Sequence, residues 1–241
     1  MRYIESNIMI IEFNGLPGCG KTTIKTTLMN KINQKIKSIG VSDYSAENSG
    51  KLKRLFVKLG RILSIICPFN LNFSLKCLKL YFKSSSVTEF LSKSFYEDLI
   101  AVSYIVYLYR EYKKNKNRVL VVDEGIIQVI SSAITVKNVK EKYIDDIIND
   151  FLALKKRYMF INYDCDVNLS FERIKKRNRN SAAIDSLEGE SLIGYLNKYK
   201  LNLNEIRQKV AKNPKYSLNL SAKLPLDQQI EIIFERKKKI Q

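Results

Sequence analysis

Apolar residues along the chain fall into short runs separated by longer stretches of helical periodicity. The runs "IMIIEF" (8–13), "VLVVD" (119–123), "YMFINY" (158–163) and "YSLNLS" (216–221) predict buried strands, with a weaker run, "VSDYS" (41–45), between the first two. Between the runs, Ile24, Leu28, Ile32 and Ile36 recur at helical spacing over 22–37, and "EDLIAVSYIVYLYREY" (97–112) reads as an almost wholly apolar helix. Over 139–155, Ile144, Ile147, Ile148 and Phe151 share one helical face. A further helix is expected from Val167, with Phe171 and Ile174 on its apolar side, and a last one over 226–238. Strands alternating with helices require crossover connections, and hence a parallel sheet covered on both faces with its ligand site at the carboxyl ends of the strands. The expected fold class is α/β: a five-stranded parallel sheet with helices on both faces, in one domain over 1–241.

Residues 51–95 fit the alternation least well. "KLKRLFVKLGRILSIIC" places Leu52, Leu55, Phe56, Leu59, Leu63 and Ile66 on one stripe, with Lys51, Arg54, Lys58 and Arg61 around it. Such a basic amphipathic helix over 51–66 suits a membrane surface, but packing on its own domain is the commoner fate and the favoured reading. No apolar run approaches the roughly 20 residues that span a bilayer, and the longest, "LSIICPFNLNFSL", is interrupted by Pro68, Asn70 and Asn72. With no leader pattern at its start, the chain is expected to be soluble and cytoplasmic.

Composition narrows the chemistry. Cys19, Cys67, Cys77 and Cys165 form no CxxC pair and there is no histidine, which removes the usual zinc ligand sets. Reduced thiols are expected, and a general base has to be a carboxylate or a less common group. The net charge of +18 suits a polyanionic partner, but lysines occur in nearly every segment rather than in one block, which favours a solvated basic surface. Nucleic acid ranks last among partners, because aromatic and basic residues are not interleaved as a stacking groove requires.

"GLPGCGKT", from Gly15 to Thr22, fits G-x-x-x-x-G-K-[ST] and lies between an apolar strand and a helix, where the mechanism needs it. Gly15, Gly18 and Gly20 let the backbone curl, with Pro17 and Cys19 between them, so that successive N–H groups face a phosphate chain. The helix that follows, through Thr23, adds the positive end of its dipole. Lys21 is expected to reach the β and γ phosphates, and the Thr22 hydroxyl to ligate Mg²⁺. Asp123 and Glu124, at the end of "VLVVD", supply the expected acidic partner for the ion, with Asp123 as its ligand.

A strand ending in Asp-Glu also suits an ATPase, in which Glu124 would orient an attacking water. "FERIKKRNRN" (171–180) favours transfer: Arg173 and Arg177 lie four apart on one helical face, and Arg179 follows. Three guanidiniums there would clamp a transferring phosphoryl group and close over it, excluding water. A partner-stimulated ATPase and, below it, a polynucleotide-directed kinase are the alternatives.

The order of these features resembles the deoxynucleoside kinase and thymidylate kinase group of P-loop kinases over most of the chain. "GLPGCGKTT" resembles their phosphate loop, "YSAEN" the place of their Glu near the acceptor, and "YLYREYKK" their Arg-bearing helix ahead of the acidic strand. "INYDCDVNLSFERIKKRNRN" is similar to their strand, helix and lid, and "YSLNLSAKLPLDQQIEIIF" to their last strand and helix. The resemblance implies a three-layer P-loop NTPase fold with a helical lid over 173–190 and a helical acceptor-pocket insertion over 51–95. It also implies ATP with Mg²⁺ as phosphoryl donor and a small-molecule acceptor, most readily a nucleoside or nucleotide. Glu47 would receive the acceptor's proton and Arg110 would lie near the acceptor or the transferred phosphate. Where the family has Asp-Arg after the third strand, this chain has Asp123-Glu124-Gly125, so Glu124 competes with Glu47 for the role of base. A homodimer is left open.

Overall fold

The computed structural model describes residues 9–33, 39–40, 63, 65–66, 70–82, 93–114, 119–136, 141–154, 157–177, 183–210 and 217–240. In chain order the elements are β1 (Met9–Asn14), α1 (Lys21–Asn33), β2 (Ile39–Gly40), α2 (Leu71–Phe82), α3 (Lys93–Lys114), β3 (Val119–Val122), α4 (Ile126–Val136), α5 (Glu141–Leu152), β4 (Arg157–Asp164), α6 (Val167–Lys176), a 3-10 turn (Ala183–Ser186), α7 (Gly189–Val210), β5 (Ser217–Ser221) and α8 (Leu226–Ile240).

The sheet is parallel throughout, in the order β2-β3-β1-β4-β5. Every residue of β1 and β3 is buried, which needs cover on both faces and explains why these strands read as continuous apolar runs. Four strands are full length and β2 has two residues, Ile39–Gly40; the strand expected at 41–45 lies outside the described residues. From β1 the chain crosses beyond β3 to one edge, returns to β3, and then passes to the other side at β4. The direction of winding therefore changes at β1, and the segments leaving β1, β3 and β4 converge at the carboxyl edge, where such sheets hold ligands.

The chain divides into two compact units. The first (Met1–Val41, Asn117–Thr135, Arg157–Gln241) holds the sheet with α1, nearly all of α4, and α6 to α8. In it Ile174, Leu192 and Leu196 form a small core with Val167, Phe171 and Ile184, joining α6, the 3-10 turn and α7. The second unit (Ser42–Lys116, Val136–Lys156) holds α2, α3 and α5. There Phe73 stacks on Tyr109 with ring centres 4.0 Å apart, Phe151 meets both edge-on, and Lys76 pairs with Asp150 at 2.6 Å. Burial pushes the Cys77 thiol pKa up. Cys19, Cys77 and Cys165 are free.

The helices expected over 22–37, 97–112, 139–155, from Val167 and over 226–238 are present as α1, α3, α5, α6 and α8; residues 34–37 of the first lie outside the described residues. Helices α4 and α7 are additional, and α2 falls within the stretch 51–95 that was expected to be helical. Of the stripe expected over 51–66, Leu63 and Ile66 are described and are exposed, whereas Ile65 is buried; the rest lies outside the described residues. Among the described residues no helix is long and apolar enough to cross a membrane.

One buried charge fixes how α4 meets the sheet. Glu12 on β1 is fully buried, and its carboxylate accepts a hydrogen bond from Ile127 N at 2.8 Å, in the first turn of α4, where the helix dipole favours negative charge. Gly125 packs against that carboxylate so closely that a Cβ there would lie 2.0 Å from Glu12 Cδ. Gly125→Ala is therefore expected to lower the unfolding free energy by at least about 1–3 kcal/mol in urea denaturation. An unchanged midpoint would show that the Glu12 contact is not tight.

Candidate active site at the carboxyl edge of the sheet

After Asn14 the backbone turns through Gly18 and Gly20 at φ 84° and 102°, conformations that side-chain-bearing residues rarely adopt. Cys19 N donates to Leu16 O at 3.2 Å, and Thr23 N and Ile24 N return to Gly20 O at 3.1 and 3.3 Å as α1 begins. The Lys21 ammonium donates to Gly15 O and Leu16 O at 2.8 Å each and touches Cys19 Sγ at 3.6 Å. With carbonyls committed to the lysine, a curl of backbone amides at a helix N-terminus is suited to an anion.

Asp123, just beyond β3, accepts from Thr22 Oγ1 at 3.0 Å and pairs with Lys25 Nζ at 3.3 Å through the same Oδ2. A hydroxyl and a carboxylate are hard oxygen donors, which fit Mg²⁺ when phosphate oxygens and water complete its shell. Among the described residues no group of three or more His, Cys, Asp or Glu could hold a metal ion. Glu124, the next residue, is exposed. Desolvation raises its pKa, Asp123 adds to the rise, and Lys21 and Lys25 oppose it.

The third contribution comes from α6, whose N-cap Asp166 accepts from Asn168 N at 2.8 Å. Four residues on, the Ser170 hydroxyl bonds Pro17 O. Arg173 Nη1 donates to Cys19 O at 2.7 Å, and Arg177 Nη2 lies 3.0 Å from where a side chain on Gly18 would begin. Both guanidiniums thus stand at the same loop as Lys21, in keeping with their i, i+4 spacing. Among the residues singled out from sequence, Gly15 to Thr23, Asp123, Glu124, Arg173 and Arg177 come together in the first unit. Arg110 is a half-buried residue of α3 in the second unit. Glu47 and Arg179 lie outside the described residues.

Several supporting residues were not anticipated. Gln128 on α4 accepts from Gly15 N at 3.3 Å. Arg207 on α7 grips Asn14, with Nε on Oδ1 at 2.5 Å and Nη2 on the backbone carbonyl at 2.8 Å. Burial lowers the Arg207 pKa to about 10, against an opposing pull from Asp164, so it stays charged at neutral pH. Lys25 was legible as a lysine one helical turn after Lys21, and Glu12 and Asn14 as polar residues inside an apolar run. Nothing in the pattern marked Gln128 or Arg207.

No family model matches the chain, and no curated protein matches it. Among solved structures the chain has the fold of a P-loop deoxynucleoside kinase. One similar structure is that of deoxyadenosine kinase from M. mycoides with bound dATP, at 17% sequence identity and a TM-score of 0.51, covering 95% of this chain and 100% of that one.

The raised Glu124 pKa has a signed consequence. Folding disfavours the charged carboxylate, so its contribution to stability is neutral below the ordinary value of 4.5 and becomes a penalty as pH rises through the raised value. Glu124→Gln is expected to match the parent near pH 4 and to be the more stable of the two at pH 7–8, with the gain growing with pH. Thermal melts across that range measure it, and a pH-independent difference would contradict the assignment.

Proposed function

We propose that the chain is an ATP- and Mg²⁺-dependent kinase that transfers a phosphoryl group to a small acceptor, a nucleoside or nucleotide before other metabolites. The observation that carries this reading is the approach of Arg173 and Arg177 to the loop that Lys21 organises. Holding a triphosphate needs the loop and the lysine. Guanidiniums beside it add fixed positive charge where negative charge develops during transfer. One solved structure with the same fold is a deoxyadenosine kinase, which supports the choice of acceptor class.

In this reading the loop amides and Lys21 hold the β and γ phosphates, while Thr22 and Asp123 would hold Mg²⁺, which supplies charge neutralisation on the phosphate oxygens. The acceptor oxygen attacks the γ phosphorus, the bond to the β–γ bridging oxygen breaks, and the acceptor's proton passes to a carboxylate. The raised pKa of Glu124 suits it to take that proton; Glu47 is the other candidate, on resemblance. By the same resemblance Arg110 contacts the acceptor or the transferred phosphate, 51–95 supplies the acceptor pocket, and 173–190, with Arg179, forms the lid.

Transfer from labelled ATP, screened over nucleosides, nucleotides and sugars with an acceptor-free control, tests the proposal. A phosphorylated acceptor is expected. Steady phosphate release that no acceptor alters would instead identify an ATPase. Lys21→Ala should lower transfer by more than about a hundredfold while the protein stays folded. Arg177→Ala should lower kcat by about ten- to a hundredfold with little change in nucleotide affinity. An unchanged kcat in the second variant would remove Arg177 from the site.

A further inference from the structure

Lys25 stands where a catalytic cation would be expected to compete with it. It lies one turn beyond Lys21 on α1, its side chain is only 8% exposed, and its ammonium sits 3.3 Å from Asp123 Oδ2, the oxygen that the Thr22 hydroxyl also reaches at 3.0 Å. Lys21 cannot be the counter-ion here, because its own ammonium is engaged by Gly15 O and Leu16 O. The Asp123 side chain is 14% exposed, so the pair is shielded from water and from the screening that weakens surface ion pairs.

We propose that Lys25 is a resident counter-ion that occupies Asp123 in the nucleotide-free protein and gives it up to the divalent ion that enters with the triphosphate. The inference rests on the proposed triphosphate site. Two observations carry it beyond that site. A lysine ammonium and a divalent cation cannot share one carboxylate oxygen at close range without mutual repulsion, so the ion must displace Lys25. Among the described residues no cluster of three or more acidic, thiol or imidazole groups offers a free ion compensation for that displacement; phosphate oxygens do. Lys25 would thus suppress unproductive binding of free metal and keep Asp123 paired until nucleotide arrives.

Mn²⁺ binding to the nucleotide-free protein, followed by electron paramagnetic resonance, tests this without any turnover. Lys25→Met, which keeps the apolar stem, should bind Mn²⁺ at least about tenfold more tightly than the parent. Lys25→Gln should do the same, and adding Asp123→Asn to either should abolish the gain. As a second readout, Mn²⁺ should raise the Tm of the lysine variants and leave that of the parent unmoved. Equal Mn²⁺ affinity in the parent and both folded variants would overturn the proposal. Mn²⁺ binding to the parent with a non-hydrolysable ATP analogue is the separate arm: its failure would reject the triphosphate site, while the nucleotide-free comparison still decides the role of Lys25.

Discussion

The Lys21 ammonium, held between Gly15 O and Leu16 O, is the interaction on which the site depends. A loop that presents its amides to an anion must do something with its carbonyls, and a buried unpaired carbonyl costs as much as a lost hydrogen bond. Here four carbonyls are taken up by cations: Lys21 on residues 15 and 16, Arg173 on Cys19 and Arg207 on Asn14. Each of these bonds ties the loop to a different part of the first unit, namely its own helix α1, then α6, then α7. These bonds hold the loop in one conformation, which lowers the cost of ordering it around an anion.

The same edge of the sheet gathers an unusual density of buried charge. Glu12 is spent on the first turn of α4, Asp123 on Thr22 and Lys25, and Arg207 on Asn14. Buried pairs of this kind add little net stability, since desolvation offsets most of the attraction, and losing one partner is what costs. Their use lies in fixing geometry. Glu12 and Gly125 set where α4 starts, α4 carries Gln128 to Gly15 N, and the loop between β3 and α4 sets Asp123 and Glu124 beside α1. Chemistry at the edge is thus inherited from packing beneath it.

Much of this was readable from the chain. The glycine-rich loop was legible because its glycines, lysine and threonine are each required by backbone geometry or charge, and the strand before it is largely apolar. Arg173 and Arg177 were legible because four-residue spacing on a helix puts two side chains on one face. The parallel sheet followed from continuous apolar runs. Most of the remainder had weaker local signals. Helix α4 is so apolar that it reads as a core segment of either kind, and α2 lies in the stretch whose alternation was least clear. Helix α7 is the exception, with a clear period in Leu192, Leu196, Tyr199, Leu203, Ile206 and Val210. Gln128 and Arg207 act through contacts more than a hundred residues away in sequence, which no local pattern can encode.

The central claim is that the backbone of residues 15–22 cradles a triphosphate. Amide chemical shifts during titration with a non-hydrolysable ATP analogue and Mg²⁺ test it most directly. The account predicts the largest changes at Gly18, Cys19, Gly20, Lys21 and Thr22, and their loss in Lys21→Ala. Changes confined to other parts of the chain, or no saturable change at all, would contradict it.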